Sequence, residues 1–218
     1  DLTEQENTQE LLPAHNAIGQ TYLYTGDPAR ALIHIDAVVA HYHFEIHRYL
    51  ATQYGEDPGV VCRMYAAQVR WLLGYPDQAL QQVDMGLRLA RDLSQPFGIA
   101  QMLWVNLLIL QGRGDLETLH SRAEILIDLC EREDIGYWLA GGHILKGWVL
   151  AKQGQPEVGI DLIHQGLDEW NATGTLLIQP YFFALLGETY GTSGQTYKGL
   201  NAVSKALAAV ERTGECWY

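Results

Sequence analysis

Three histidines, His41, His43 and His47, are the densest group of residues able to do chemistry. On a helix His43 and His47 would be four apart and share a face, the arrangement that suits a metal ion. A stable site needs further ligands. No cysteine or carboxylate has a clear placement as one, and Glu45 would point elsewhere on the same helix. His43 and His47 are therefore weak metal candidates, and packing is the simpler role for His47. Gly191-Thr192-Ser193-Gly194-Gln195-Thr196 echoes a phosphate loop, but it lacks the lysine that reaches the phosphates and it follows a helical pattern, not a strand. No Gly-x-Ser-x-Gly nucleophile turn occurs. Cys62 lies within an apolar helical face, whereas a reactive thiol needs an electropositive setting. Paired acids such as Glu131 with Glu133, or Asp168 with Glu169, read as solvated helix ends. These residues predict no enzyme and no cofactor.

Composition narrows the partners. The 218 residues carry a net charge of −12, which disfavours both nucleic acid and anionic lipid. No apolar run reaches the ~18 residues of a membrane span; the densest, Ile99 to Leu110, is interrupted by Gln101 and Asn106. The opening Asp1-Leu2-Thr3-Glu4 lacks the basic start and apolar core of a signal peptide. Three cysteines, Cys62, Cys130 and Cys216, without framework spacing fit a reducing, cytoplasmic setting, in which the sequon Asn171-Ala172-Thr173 would be irrelevant.

The elements that position these residues follow from internal repetition. Gly74, Gly114, Gly154 and Gly194 are each 40 residues apart. Val83, Ala123, Ile163 and Val203 repeat in the same register, as do Gly86, Leu126, Gly166 and Ala206, and Leu87, Ile127, Leu167 and Leu207. Gly174 and Gly214 close two consecutive units. Each unit reads as two helices: Phe183, Leu186, Gly187 and Tyr190 share one face, and Leu200, Val203, Ala206, Leu207 and Val210 share another. The periodic glycine between them suits the left-handed residue that ends a helix. Asp27-Pro28, Pro76-Asp77, Asp115 and Pro156-Glu157 then start the second helix. No stretch alternates as a strand would.

An earlier unit turns at Gly26, 48 residues before Gly74, so about eight extra residues fall in a longer connection over 43–57. The reading is a single domain of five helix pairs over approximately 8–43, 57–94, 96–134, 137–174 and 177–214, with any extra N-terminal helix from Leu2 to Leu12. Gly159 and Gly199 match Ala31 and Ala79 and mark close helix crossings, a column that Leu119 breaks in the third unit.

This pattern resembles the tetratricopeptide repeat. Gly19, Tyr22, Gly26, Ala31 and Ile35 fall at that repeat's signature offsets, as do Leu186, Gly187, Tyr190, Gly194, Gly199 and Ala206. Ala67 and Arg70 replace the usual Gly and Tyr in the second unit, and the third keeps little beyond its turn glycine. The resemblance implies an all-α fold, a right-handed superhelix of antiparallel helix pairs, with a period near 40 against the usual value of about 34.

A closer resemblance rests on three phrases: His47-Arg48 with Tyr54 to Cys62, Trp71 to Leu80, and Val210 to Glu215. These are similar to the C-terminal helical region of large bacterial multidomain regulators that carry a signal-transduction ATPase, often with a nucleotidyl cyclase or winged-helix domain. The resemblance implies a sensing or autoinhibitory arm whose partner is a protein or peptide, including upstream domains of the same polypeptide. The missing initiator Met, and a last helix with an apolar face and no polar cap after it, fit excision from a longer protein and self-association through that C-terminal end.

At the repeat's usual groove positions the first helices present Asn16 and Gln20, then Met64, Gln68 and Trp71, then Gln101, Trp104 and Gln111, then Ile144, Trp148 and Lys152, and finally Tyr181 and Glu188. Amides interleaved with aromatics suit an extended peptide, amides pairing with its backbone and aromatics supplying contact area. The competing reading places Trp71, Trp104 and Trp148 in the interior; Trp138 and Trp170 are assigned to packing between repeats. A small-molecule receptor built around Trp104 and Trp148 is the alternative function.

Overall fold

The computed structural model describes residues 2–217, with side-chain surroundings from residue 11 onward except for Tyr54. Asp1, Tyr218 and the side chains of residues 2–10, on which the signal-peptide reading falls, lie outside the described residues. Every regular element among the described residues is helical. Two compact units form, one of residues 1–109 with 217, the other of residues 110–216 with 218.

The first unit contains α1 (Leu2–Tyr24), α2 (Pro28–His41), α3 (Phe44–His47), α4 (Leu50–Tyr54), α5 (Pro58–Leu72), α6 (Pro76–Asp92) and most of α7 (Pro96–Arg113). The second contains α8 (Leu116–Glu133), α9 (Gly136–Lys152), α10 (Pro156–Ala172), α11 (Gln179–Thr192) and α12 (Thr196–Thr213). Neighbours in sequence pack as hairpins: α1 on α2, α5 on α6, α9 on α10 and α11 on α12. The segment expected as an extra N-terminal helix is the start of α1 itself, which runs through Pro13 without ending there. The long connection over 43–57 is partly helical, holding α3 and α4.

The turns follow from the backbone each residue type allows. Gly26, Gly74, Gly114, Gly154 and Gly194 all take left-handed φ, between 71° and 89°. Asp27, Asp57 and Asp115 cap the helices that follow them, their carboxylates accepting from the backbone N–H of Arg30, Val60 and Thr118. A second column of left-handed residues closes each later pair: Ser94 (φ 54°), Asp134 (φ 55°), Gly174 (φ 74°) and Gly214 (φ 72°), again 40 apart. Only the two glycines are legible as turn signals. The left-handed region costs an ordinary residue about 1–2 kcal/mol, so Ser94→Gly and Asp134→Gly should each raise stability by about 1 kcal/mol. Urea titration of both single variants checks this, and a lower midpoint in either contradicts it.

Gly159 and Gly199 do mark close crossings. A Cβ on Gly159 would strike the backbone carbonyl of Gly147, and one on Gly199 would lie 3.0 Å from the carbonyl oxygen of Gly187. Ala31 and Ala79, in the same column, are fully buried. The phrases behind the closer resemblance have structural duties. Asp57 is buried, caps α5 and accepts from the Tyr42 hydroxyl at 2.9 Å, while Gly59 lies flat against the Tyr42 ring. Burial raises the Asp57 carboxyl above its usual range and raises the Tyr42 phenol as well. Glu215 is buried and accepts from the backbone N–H of Ile178, the left-handed residue at the start of α11.

Candidate functional site

In the first unit the amides of α1 stand over the start of α5. Asn16 and Gln20 are one helical turn apart, and Gln20 Nε2 donates to Asn16 Oδ1 at 3.0 Å. The Cys62 thiol donates to the same oxygen at 3.3 Å. Among the described residues this leaves Asn16 Nδ2 and Gln20 Oε1, one donor and one acceptor side by side, without a protein partner. They line an open cleft of about 240 Å³ with Pro13, Ala17, Glu56, Pro58 and Val61. Glu56, from the turn before α5, accepts from Gln101 Nε2 of α7 at 2.7 Å. A second depression, of about 190 Å³, lies on the far side of Glu56 between that turn and Ser94–Gly98. Three of the expected groove amides, Asn16, Gln20 and Gln101, thus converge on a carboxylate. Glu56 lies inside one of the family-like phrases, but its sequence carries no sign that it reaches Gln101, because that contact depends on how two hairpins pack.

The remaining expected groove residues of this unit are placed differently. Met64, Gln68, Gln101 and Trp104 are buried, Trp104 to 3% exposure, while Trp71 is only half-buried. The accessible aromatic expected at Trp104 is therefore corrected to a core residue. Helices α5 and α7 are buried on nearly every side, so the inner positions of one turn are covered by the next hairpin.

In the second unit the four expected residues Trp148, Lys152, Tyr181 and Glu188 come together. Trp148 Nε1 donates to Glu188 at 2.8 Å, and Lys152 pairs with the other oxygen of that carboxylate and lies 5.2 Å from the Trp148 ring centre. Burial and the nearby Glu188 charge both raise the Tyr181 phenol. Trp148 is 5% exposed and Ile144 is fully buried, so the aromatic contact face expected there is also corrected. Lys152 is no free cationic handle, since Glu188 neutralises it. Gln111 is half-buried. A pair that sequence reading missed lies on α9 and α10: the buried His143 shares a hydrogen bond of 2.7 Å with Glu169, and Gln165 donates to the other carboxylate oxygen at 2.9 Å. His143 and Glu169 are 26 residues apart on different helices, and no local pattern links them.

The histidine cluster is structural. His47 Nδ1 accepts from the backbone N–H of His43 at 2.9 Å, which closes the first turn of α3. An Nδ1 used as acceptor puts the ring proton on Nε2, leaving no lone pair on this ring for a metal. Burial lowers the His47 pKa, in keeping with a neutral ring. No cluster of three potential ligands occurs among the described residues. Burial also raises both interior thiols, Cys62 strongly and Cys130 to about 12, which keeps them protonated and unreactive. Trp138 and Trp170 are buried as expected, Trp170 meeting Phe182 edge-on at 5.0 Å between α10 and α11.

Solved structures share this architecture. A thermophilic TPR protein from Thermus thermophilus matches with a TM-score of 0.59 at 17% identity, over 96% of this chain and 93% of that one. The nearly identical TPR-like repeats of a putative kinesin light chain from Podosopora anserina match with 0.56 at 12% identity, over 93% and 96%. BtubC (BKLC) from P. vanneervenii matches with 0.55 at 13% identity, over 93% and 92%. At these identities the likeness shows the fold: an all-α, TPR-like helical repeat, the class generally used as a protein-interaction scaffold. No family model and no curated protein matches the chain. No helix among the described residues is long and apolar enough to cross a membrane.

Proposed function

We propose that this chain is a non-catalytic scaffold that holds an extended peptide segment of a protein partner in the α1–α5 cleft of its first unit. One observation carries the reading: Asn16 and Gln20 offer an amide donor and an amide acceptor side by side at an open cleft. A peptide backbone presents the matching C=O and N–H, as in recognition of extended segments generally. Glu56 at the edge of the cleft and a net charge of −12 favour a neutral or basic segment over an acidic one. The three family-like phrases support a finer role as the regulatory arm of a bacterial, cytoplasmic signalling ATPase or cyclase, with the segment supplied by the same polypeptide or a separate protein. Self-association through the apolar face of α12 belongs to the same reading. A metabolite receptor is less well supported: ligand cavities usually enclose about 300–1,000 Å³ with aromatic walls, and Trp104 and Trp148 are packed in the core.

The test is a peptide display selection on the intact chain, followed by titration of the best binder against Asn16→Ala, Gln20→Ala and the double variant. Each lost amide–backbone hydrogen bond should cost about 1 kcal/mol, roughly fivefold in affinity, with the double variant weakened by about tenfold or more. Binders that ignore both substitutions would place the site elsewhere.

A further inference from the structure

Helices α10 and α12 occupy the same place in consecutive repeats, 40 residues apart, yet one face is buried in the first and bare in the second. Ile160, Ile163 and Leu167 are 7%, 0% and 5% exposed, whereas Leu200, Val203 and Leu207 are 64%, 43% and 62% exposed. Both helices have their hairpin partner, α9 or α11. What α10 has in addition is the first helix of the next pair, α11, packed along it. The molecule itself thus shows what covers this face: a first-position helix of another repeat.

Such a face is also bare at α1. In the register that aligns Gly19 with Gly187 and Gly26 with Gly194, Ala14, Ala17, Ile18 and Thr21 of α1 correspond to Phe182, Leu185, Leu186 and Thr189 of α11. The four residues of α11 are buried, and the four of α1 are exposed, Ile18 to 42%. The charges of the two helices are opposed. Across its span α1 has Glu4, Glu6 and Glu10 and no Lys or Arg, while α12 has Lys198, Lys205 and Arg212 against the single acid Glu211. Opposite signs steer encounter and set the pairing in an otherwise acidic protein, in which like faces would repel.

We propose that the α12 face of one molecule docks on the α1 face of a second copy, so that copies associate head to tail and continue the repeat stack across the molecular boundary. This rests on the self-association reading above and goes beyond it by naming the occupant. Continuity with the internal α10–α11 packing supplies the geometry, and the contact is heterologous, so each docked copy still presents one free face of each kind.

Analytical ultracentrifugation of the intact chain tests this against two variants at exposed positions, Leu200→Glu/Leu207→Glu and Ile18→Glu, with circular dichroism to confirm that each retains its helices. The wild type should show mass rising with concentration beyond a dimer, weaker at high salt. Each variant alone should associate at least about tenfold more weakly. Mixed together, the two variants should form a one-to-one dimer that grows no further, because one intact face of each kind remains. A wild type that stays monomeric at millimolar concentration overturns self-association altogether. If the α12 variant dissociates while the Ile18→Glu variant still self-associates, or if the mixture fails to pair, self-association stands and the head-to-tail pairing falls.

Discussion

Trp104→Ala and Trp148→Ala should each lower stability by about 3–5 kcal/mol, the cost of emptying a large buried aromatic site, and neither should report on a partner surface. Trp104 is 3% exposed and Trp148 5%. Removing Trp148 also takes the indole N–H from Glu188 and the ring from beneath Lys152. Trp71→Ala, at a half-buried position, should cost clearly less. For a chain of this length 1 kcal/mol corresponds to roughly 2–4 °C in melting temperature, so the three variants separate readily in thermal or urea denaturation. Trp148→Phe isolates the polar part: it keeps most of the ring area and loses the hydrogen bond, and should recover most of the stability. Losses below about 1 kcal/mol at both Trp104 and Trp148 would mean that these side chains do not fill the core, and the groove reading would return.

The second large effect is expected at Gly159. Gly147 and Gly159 face each other across the α9–α10 crossing, and a Cβ on Gly147 would lie 2.6 Å from the carbonyl oxygen of Gly159. The obstacle is main chain on both sides, which no rotamer change can move. Gly159→Leu should therefore force the helices apart at about 1–3 kcal/mol, and even Gly159→Ala should be destabilising, although alanine in a helix interior normally gains up to about 1 kcal/mol over glycine. Gly199→Leu should cost less. Its nearest obstacle is farther away, at 3.0 Å, and α12 is bare on its outer side and free to shift. Chemical denaturation of the three variants gives the order; an unchanged midpoint for Gly159→Leu would show that the crossing is looser than this.

The division between what was legible and what was not follows from the range of each interaction. Turn positions were legible because they are local: Gly26, Gly74, Gly114, Gly154 and Gly194 each take a backbone conformation that few other residues adopt without strain. The close crossings at Gly159 and Gly199 were legible because small residues recur in one column, and the all-helical class because apolar residues recur at helical spacing over several units. Ser94 and Asp134 were not legible, since a serine or aspartate gives no sign on its own that tertiary packing holds it at φ 54° or 55°.

The candidate site was legible only in part. The repeat's offsets picked out Asn16, Gln20, Trp148, Lys152 and Glu188 as inner positions, and each does lie at a cleft or a polar cluster. Whether an inner position is open or covered is another matter. It depends on how closely the following hairpin approaches, which is a property of many residues at once. That is why Trp104 and Trp148 proved to be core, why Lys152 proved to be neutralised by Glu188, and why the Glu56–Gln101 contact, spanning 45 residues, had no signature in the chain. Sequence alone determined the helical repeat, its period and its turns, because these rest on backbone preferences and periodic burial within about 40 residues. Tertiary structure alone decided which side chains stay accessible, because exposure is set by neighbours that the chain brings together only when it folds.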